Sequence, residues 1–324
     1  LTFSRRHGDP SRPWNVFAIQ VKDAKGKKIL GYEGNWRDIF QNWEALGFSF
    51  PGYLESMIFK FADSSTADGY NPYRVMQGGF DWEVIDPHDA WSFIGYWGDH
   101  QVIYFLKLLE ASHRYHPGQL ARLLTHRVFT YANVPYRIKP YADLLASPRD
   151  TITFDHEAHR MIMRRAEALG ADGKALMGEG GIFHASLLEK LLVVILSKLS
   201  NFVPEAGIWM NTQRPEWNDA NNALVGYGVS MVTLCYLRRF LAFCEALLNS
   251  GEATGYEISQ EIAEWLSVIA RVLEQNSPEL GRSVSDMERK VVLDALGTAG
   301  SDYRGKIYQA GFSGERVTVS PSRL

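Results

Sequence analysis

The chain has 324 residues, 46% of them hydrophobic, which is enough for a sizeable core in one large domain or two ordinary ones and excludes a disordered polymer. Its 34 basic and 37 acidic residues leave a formal net charge of -3, too weak a field to draw nucleic acid or an anionic membrane, so the expected partner is neutral. Aromatic residues make up 13%, and many stand in polar settings such as NWRD, FDWE, YWGDH and PEWND, where they either suit the faces of sugars or mark the places at which a large core meets its loops.

In chain order, RRHGDPSRPWN at 5–15 is either an anion-holding cluster or a polar linker. Residues 17–30 read as a strand, a turn around Lys25 and Gly26, and a second strand. This gives an N-terminal linker and β segment over 1–30 and a helical catalytic domain over 31–324. Helices are expected over 36–46, 52–61, 89–113, 119–129, 156–169, 229–248 and 284–296. Two further apolar stripes at helical spacing run through Leu187, Leu188, Leu191, Leu192, Ile195 and Leu199, and through Ile258, Ile262, Trp265, Leu266, Ile269 and Leu273. Cys235 and Cys244 fall nine residues apart in one expected helix, which excludes a disulfide between them. No apolar run reaches the length of about eighteen residues that a membrane span needs. The expectation is a cytoplasmic protein with self-association left open, and the opening on Leu1 leaves room for a longer chain.

Helix after helix, joined by loops of alternating length, predicts an all-α chain and reads as an α-barrel of helical hairpins with its loops gathered into a cleft at one end, although a helical solenoid or an irregular bundle would give a similar pattern. Four loop clusters carry the unusual chemistry: NWRDIFQNWEALG at 35–47, GGFDWEVIDPHDAWSFIGYWGDHQ at 78–101, VPYRIK at 134–139 and RPEWNDANNALVG at 214–226. Each mixes a Trp or Tyr with carboxylates, Arg or side-chain amides. Carbohydrate sites need that mixture, because hydroxyls take forked hydrogen bonds while the apolar face of the sugar lies on a ring. ADGYNPYR at 67–74 has the same potential, although Asn71-Pro72 is also an ordinary turn former.

Arg37-Asp38 followed by Gln41, then Asp86-Pro87-His88-Asp89-Ala90-Trp91, then Trp217-Asn218-Asp219 with Asn222 and Gly226, resemble in order the R-D-x-x-Q, D-D-x-x-W and D-W-N-D-G motifs of the cellobiose phosphorylase family and its oligoglucan phosphorylase relatives. The resemblance spans roughly 32–241. It implies cleavage of a glucoside or oligoglucan by inverting phosphorolysis on an (α/α)6 barrel, with no cofactor beyond inorganic phosphate as co-substrate. Asp219 would be the general acid, Arg37 and Asp38 would bind the hydroxyls of the sugar whose bond breaks, and Trp217 would wall the same subsite. Gln41, Glu216, Asn218, Asp89, Trp91, Asp99, His100, Tyr136 and Arg137 complete the candidate substrate contacts. Two departures are plain: Glu216 stands for the first Asp of D-W-N-D-G and Ala220 for its Gly. A convincing counterpart of that family's phosphate-binding loop is missing, since the chain after about Gly251 offers only the modest GTAGSDYRGK, and roughly nine helices are expected where such a barrel needs about twelve.

The residues themselves agree on the acid. A glycosidic bond needs a carboxylic acid of raised pKa on one side and an attacker on the other, and an indole beside Asp219 would exclude water from it. The plainer reading makes Asp219 the N-cap of a helix beginning near Asn221. Were water the attacker, a second carboxylate would be needed about 6.5–9.5 Å away. Asp38, Asp81, Glu83, Asp89, Asp99 and Glu205 all lie in suitable loops. An inverting hydrolase and a helical carbohydrate-binding protein are therefore the alternatives. The pairs His113/His116 and His156/His159 are read as solvated helix faces, and His100 as either a substrate contact or a buried hydrogen-bonding group.

Overall fold

A computed structural model describes residues 24–27, 33–72, 74–76, 79–82, 84, 88, 95–98, 100–212, 226–251, 253–280 and 283–324. Ten α-helices occur among them: α1 Trp36–Ser49, α2 Leu54–Asp63, α3 Gln101–Tyr115, α4 Gln119–Leu123, α5 Tyr141–Ala146, α6 His156–Leu169, α7 Leu187–Leu199, α8 Met231–Asn249, α9 Gln260–Leu280 and α10 Asp286–Ala310. The helix α7 is the hub. All of its residues from Leu187 to Lys198 are buried, and it contacts α4, α8, α9 and α10, as a helix that is apolar nearly all round should. Ser186 and Glu189 start it with a reciprocal capping box, and Ser285 and Glu288 start α10 in the same way.

The expected all-α barrel is not what forms. The described residues are 57% helix and 16% strand, and the strands make several small antiparallel sheets of two or three members. They are short ladders that tie loops to loops. The pair Tyr136–Ile138 with Ile152–Phe154 is one, the pair Tyr256–Ser259 with Arg316–Val319 another. Segments of two to four residues carry too little alternation to be seen as a period-2 pattern, and so they were hidden among the loops.

Individual helices shift for local reasons. Instead of running over 119–129, α4 stops at Leu123, because Phe129–Thr130 is needed as a strand against His184–Ala185. The helix α10 continues past residue 296 to Ala310, taking GTAGSDYRGK into its interior. The six-residue α5, beginning straight after Pro140, sits inside an expected loop and is fixed by burial of Tyr141 and Leu144. Of the expected N-terminal β segment only 24–27 are described, and they turn, with Gly26 at φ 78°. The boundary expected near residue 30 lies outside the described residues.

Two hydrophobic clusters result. The larger is built from α1–α4 and α7–α10, the smaller from the rings and aliphatics of Tyr70, Trp82, Tyr96, Tyr136, Ile152 and Phe154 with α5 and α6. Buried charge fastens α7 to its neighbours. The Glu189 carboxylate accepts from Ser186 N, Ser259 N, Ser259 Oγ and Arg316 Nη1, and Lys190 Nζ donates to Ser65 O at 3.1 Å and Thr130 O at 2.7 Å. Burial pushes the Lys190 ammonium well below its ordinary pKa, partly opposed by the carboxylates of Asp63 and Glu189. No described helix is long and apolar enough to cross a membrane.

Candidate functional site

The loop clusters that stand far apart in sequence are tied to one another at the seam between the two cores. Asn35 pairs with Arg74, and Arg74 in turn with Asp81, in a three-stranded sheet that brings NWRD, NPYR and FDWE side by side. Trp36 is buried and donates its indole N–H to Pro72 O at 3.0 Å. Pro72 and Asn71 pair with Tyr96 and Trp97, adding the stretch YWGDHQ. Gly98 then lies so close to Thr212 that a Cβ there would stand 2.6 Å from Thr212 Oγ1, so only glycine lets these chains meet without adjustment.

Thr212 is one flank of 213–225, the segment that carries Asp219. The two flanks lie together: Gly226 N donates to Met210 O at 2.8 Å, Met210 N to Gly228 O at 3.1 Å, and the Trp209 indole to Gly226 O at 2.8 Å. Gly226 has φ 72°, and a Cβ on it would fall 1.9 Å from Pro148 O, so a side chain is barred there by both backbone and space. The strands Gly207–Trp209 and Val229–Ser230 continue this base.

Beneath the seam runs a buried polar shell. Asn211 Nδ2 donates to Asn201 Oδ1 at 2.6 Å, and Asn201 Nδ2 donates to the Tyr70 hydroxyl at 3.1 Å. Lys198 Nζ donates to Gln101 Oε1 at 3.1 Å, Gln101 Nε2 to Asn71 Oδ1 at 2.6 Å, and Asn71 Nδ2 to Phe61 O at 3.1 Å. The Lys198 ammonium lies 4.0 Å from the Tyr70 ring centroid, which joins the two chains of bonds through a cation–π contact. Each of these side chains is buried, and burial pushes the Tyr70 phenol up to about 12. Groups so placed are costly unless paired. Paired, they hold the surrounding backbone in one arrangement, the property a site that reads hydroxyl positions requires.

The predicted residues fall as follows. Arg37, Asp38 and Gln41 occupy the first two turns of α1. Asp89, Trp91, Asp99, Glu216, Trp217, Asn218 and Asp219 lie outside the described residues. His100 stands at the start of α3, half-buried, with its ring 5.7 Å from that of Tyr104. Tyr136 is a core residue, edge-on to Tyr96 at 5.3 Å and to Phe154 at 6.0 Å. Arg137 turns toward α10, its guanidinium 5.0 Å from the Tyr308 ring centroid.

Two of the candidate carboxylates are already engaged: Asp81 with Lys174 at 3.3 Å, and Glu205 with Arg289 at 3.1 Å and with Val284 N. Two of the partly exposed histidines also have specific partners. His116 Nδ1 bonds Glu55 at 2.8 Å, and His159 Nδ1 accepts from Trp82 Nε1 at 3.1 Å. Among the described residues no group of three His, Cys, Asp or Glu is placed to hold a metal ion.

Asn71 and Gln101 fell inside stretches that the sequence marked, whereas Lys198, Asn201 and Asn211 were not singled out by it. A signal existed. Lys190 and Lys198 interrupt the apolar helix α7 at positions eight residues apart, two turns on the same face, and a buried lysine is retained only where partners meet it. No family model matches this chain, and no curated protein matches it.

Proposed function

We propose that this chain is a carbohydrate-active enzyme that cleaves a glucoside or oligoglucan by inverting phosphorolysis. Asp219 is the general acid, Arg37 and Asp38 bind hydroxyls of the sugar whose bond breaks, and Trp217 walls that subsite. The observation that carries the reading is the meeting, at one seam, of the backbones of NWRD, NPYR, FDWE and YWGDHQ with the paired flanks of the Asp219 segment. Composition adds to this: each stretch mixes aromatic residues with residues able to form forked hydrogen bonds, the mixture that a sugar ring with several hydroxyls demands.

In this scheme the acid protonates the departing glycosidic oxygen while phosphate attacks the anomeric carbon from the opposite face. No catalytic base is then needed, so Asp81 and Glu205 are free to serve in the ion pairs that hold them. The two cysteines are unpaired, which suits a reducing cytoplasm as the place of work. The test is product analysis on a panel of gluco-oligosaccharides with and without inorganic phosphate. Strict phosphate dependence with a sugar 1-phosphate product supports the reading. Free sugar in the absence of phosphate would assign hydrolysis instead, and binding without turnover would reduce the site to recognition.

A further inference from the structure

A cavity of about 520 Å³ lies between the ladder Tyr136–Ile138/Ile152–Phe154, the helix α5 and the C-terminal half of α10. Its wall contains two arginines whose surroundings differ sharply. Arg304, on α10, is only 6% exposed, and its Nε has no hydrogen-bond partner among the described residues. Burying that N–H without an acceptor is unfavourable, because it loses water and gains nothing. Arg137, opposite, is held in place. Its Nη1 donates to Val134 O at 3.0 Å and Tyr136 O at 3.1 Å, its Nε is 3.6 Å from Asp155, and its plane lies against Tyr308.

Hydroxyls complete the wall. Ser301 Oγ accepts from Tyr141 N at 3.0 Å, which leaves its own proton to donate. The Tyr308 hydroxyl is spent, since it donates to Asp68 and accepts from Ile138 N, so the ring serves as a platform. Lys139 is neutralised by Asp150, and the exposed Asp143 also lines the cavity. Gly305 contributes no side chain, and a Cβ built on it would meet nothing within 4 Å.

The geometry points to this cavity as a binding site for a small oxyanion, a phosphate or carboxylate group taken up by Arg304, Arg137 and the Ser301 hydroxyl. A volume of this size admits a sugar-sized body behind the charged group. Guanidinium N–H groups and a serine hydroxyl match oxyanion lone pairs. The inference does not rest on the glycoside reading: loss of turnover would leave it intact, and phosphate held at the cleavage site is told apart because variants of this cavity would leave that binding unchanged.

The experiment is calorimetric titration of the full chain with inorganic phosphate, glucose 6-phosphate and glucuronate, with glucose as the neutral control. At least one anion is expected to bind saturably in a manner that depends on this cavity, while any binding of glucose is the same in the parent and in the cavity variants. Equal affinity for phosphate and glucose 6-phosphate identifies the free ion as the ligand, and a clear preference for either sugar acid identifies an anionic sugar. Arg304→Met is expected to weaken binding by about tenfold or more. Gly305→Leu fills the cavity without removing charge, replaces glycine in a helix by a better helix former, and is expected to abolish binding with the unfolding transition retained. Should Arg304→Met fail to fold, Gly305→Leu decides alone. The proposal is overturned if no anion binds saturably at millimolar concentration, or if the folded variants bind the anions as the parent does.

Discussion

Replacing Glu189 by Ala removes the carboxylate that joins the start of α7 to the ladder formed by Tyr256–Ser259 and Arg316–Val319. Four donors lose their acceptor: Ser186 N at 3.1 Å, Ser259 N at 3.0 Å, Ser259 Oγ at 2.5 Å and Arg316 Nη1 at 2.9 Å. Glu189 is fully buried, and the Arg316 side chain is only 13% exposed, so the guanidinium keeps its bond to His184 O and little else. Stranding a buried cation costs about 3–5 kcal/mol. Losing the reciprocal half of the capping box adds about 1 kcal/mol, and the terms overlap because they share one carboxylate. The expected loss is therefore about 4 kcal/mol, with Glu189→Gln intermediate because its amide oxygen still accepts from Ser259.

The assay is urea unfolding at neutral pH of the parent, Glu189→Ala, Arg316→Met and the double variant. The double variant should lose less than the sum of the singles, with a coupling energy above about 1.5 kcal/mol. A loss within about 1 kcal/mol for Glu189→Ala, or additivity in the cycle, would refute the account of α7 as a helix fastened by buried charge.

Native-state alkylation near pH 8 should label the exposed Cys235 quickly and leave Cys244 unreacted until the chain unfolds, since burial pushes the Cys244 thiol up to about 12; equal labelling of both thiols in the folded chain would contradict this. Burial pulls the Glu55 carboxyl up, but the bonds from Ser112 and His116 outweigh it and leave it below its ordinary value. A depressed carboxylate stabilises the fold above its unfolded pKa of about 4.3 and loses that contribution as pH falls through the folded value. Glu55→Gln should therefore reduce stability by about 1 kcal/mol at pH 7 and flatten the acid limb of the stability curve; an unchanged limb in acid unfolding would contradict it. Gly226→Ala, set against a carbonyl 1.9 Å away and a φ of 72°, should destabilise the base of the Asp219 segment and lower turnover together, as paired unfolding and activity measurements would read.

Much of the helical frame was legible. The stripes at 187–199 and 258–273 became α7 and most of α9, because a long 3.6-residue period survives any tertiary context. The ladders were not legible. A pair such as Asn71–Pro72 with Tyr96–Trp97 has no periodicity to show, and its stability comes from partners about twenty-five residues apart. The site divided along the same line. Aromatic and carboxylate clusters announced themselves by composition, whereas Asn201 and Asn211 look like ordinary loop residues until Tyr70 and Lys198 are seen above and beside them. Lys198 was the readable exception, a charge inside an apolar helix, overlooked because the leucines around it already explained the segment.

Asp219→Asn, compared with the parent on two substrates, tests the role of Asp219 as acid. On a natural gluco-oligosaccharide, whose leaving oxygen needs a proton, turnover should fall by about 10²–10⁴-fold. On a dinitrophenyl glucoside, whose leaving group departs as a stable anion, it should stay near the parent rate. Equal turnover by parent and variant on the oligosaccharide would contradict the assignment outright, and so would an equal collapse on both substrates.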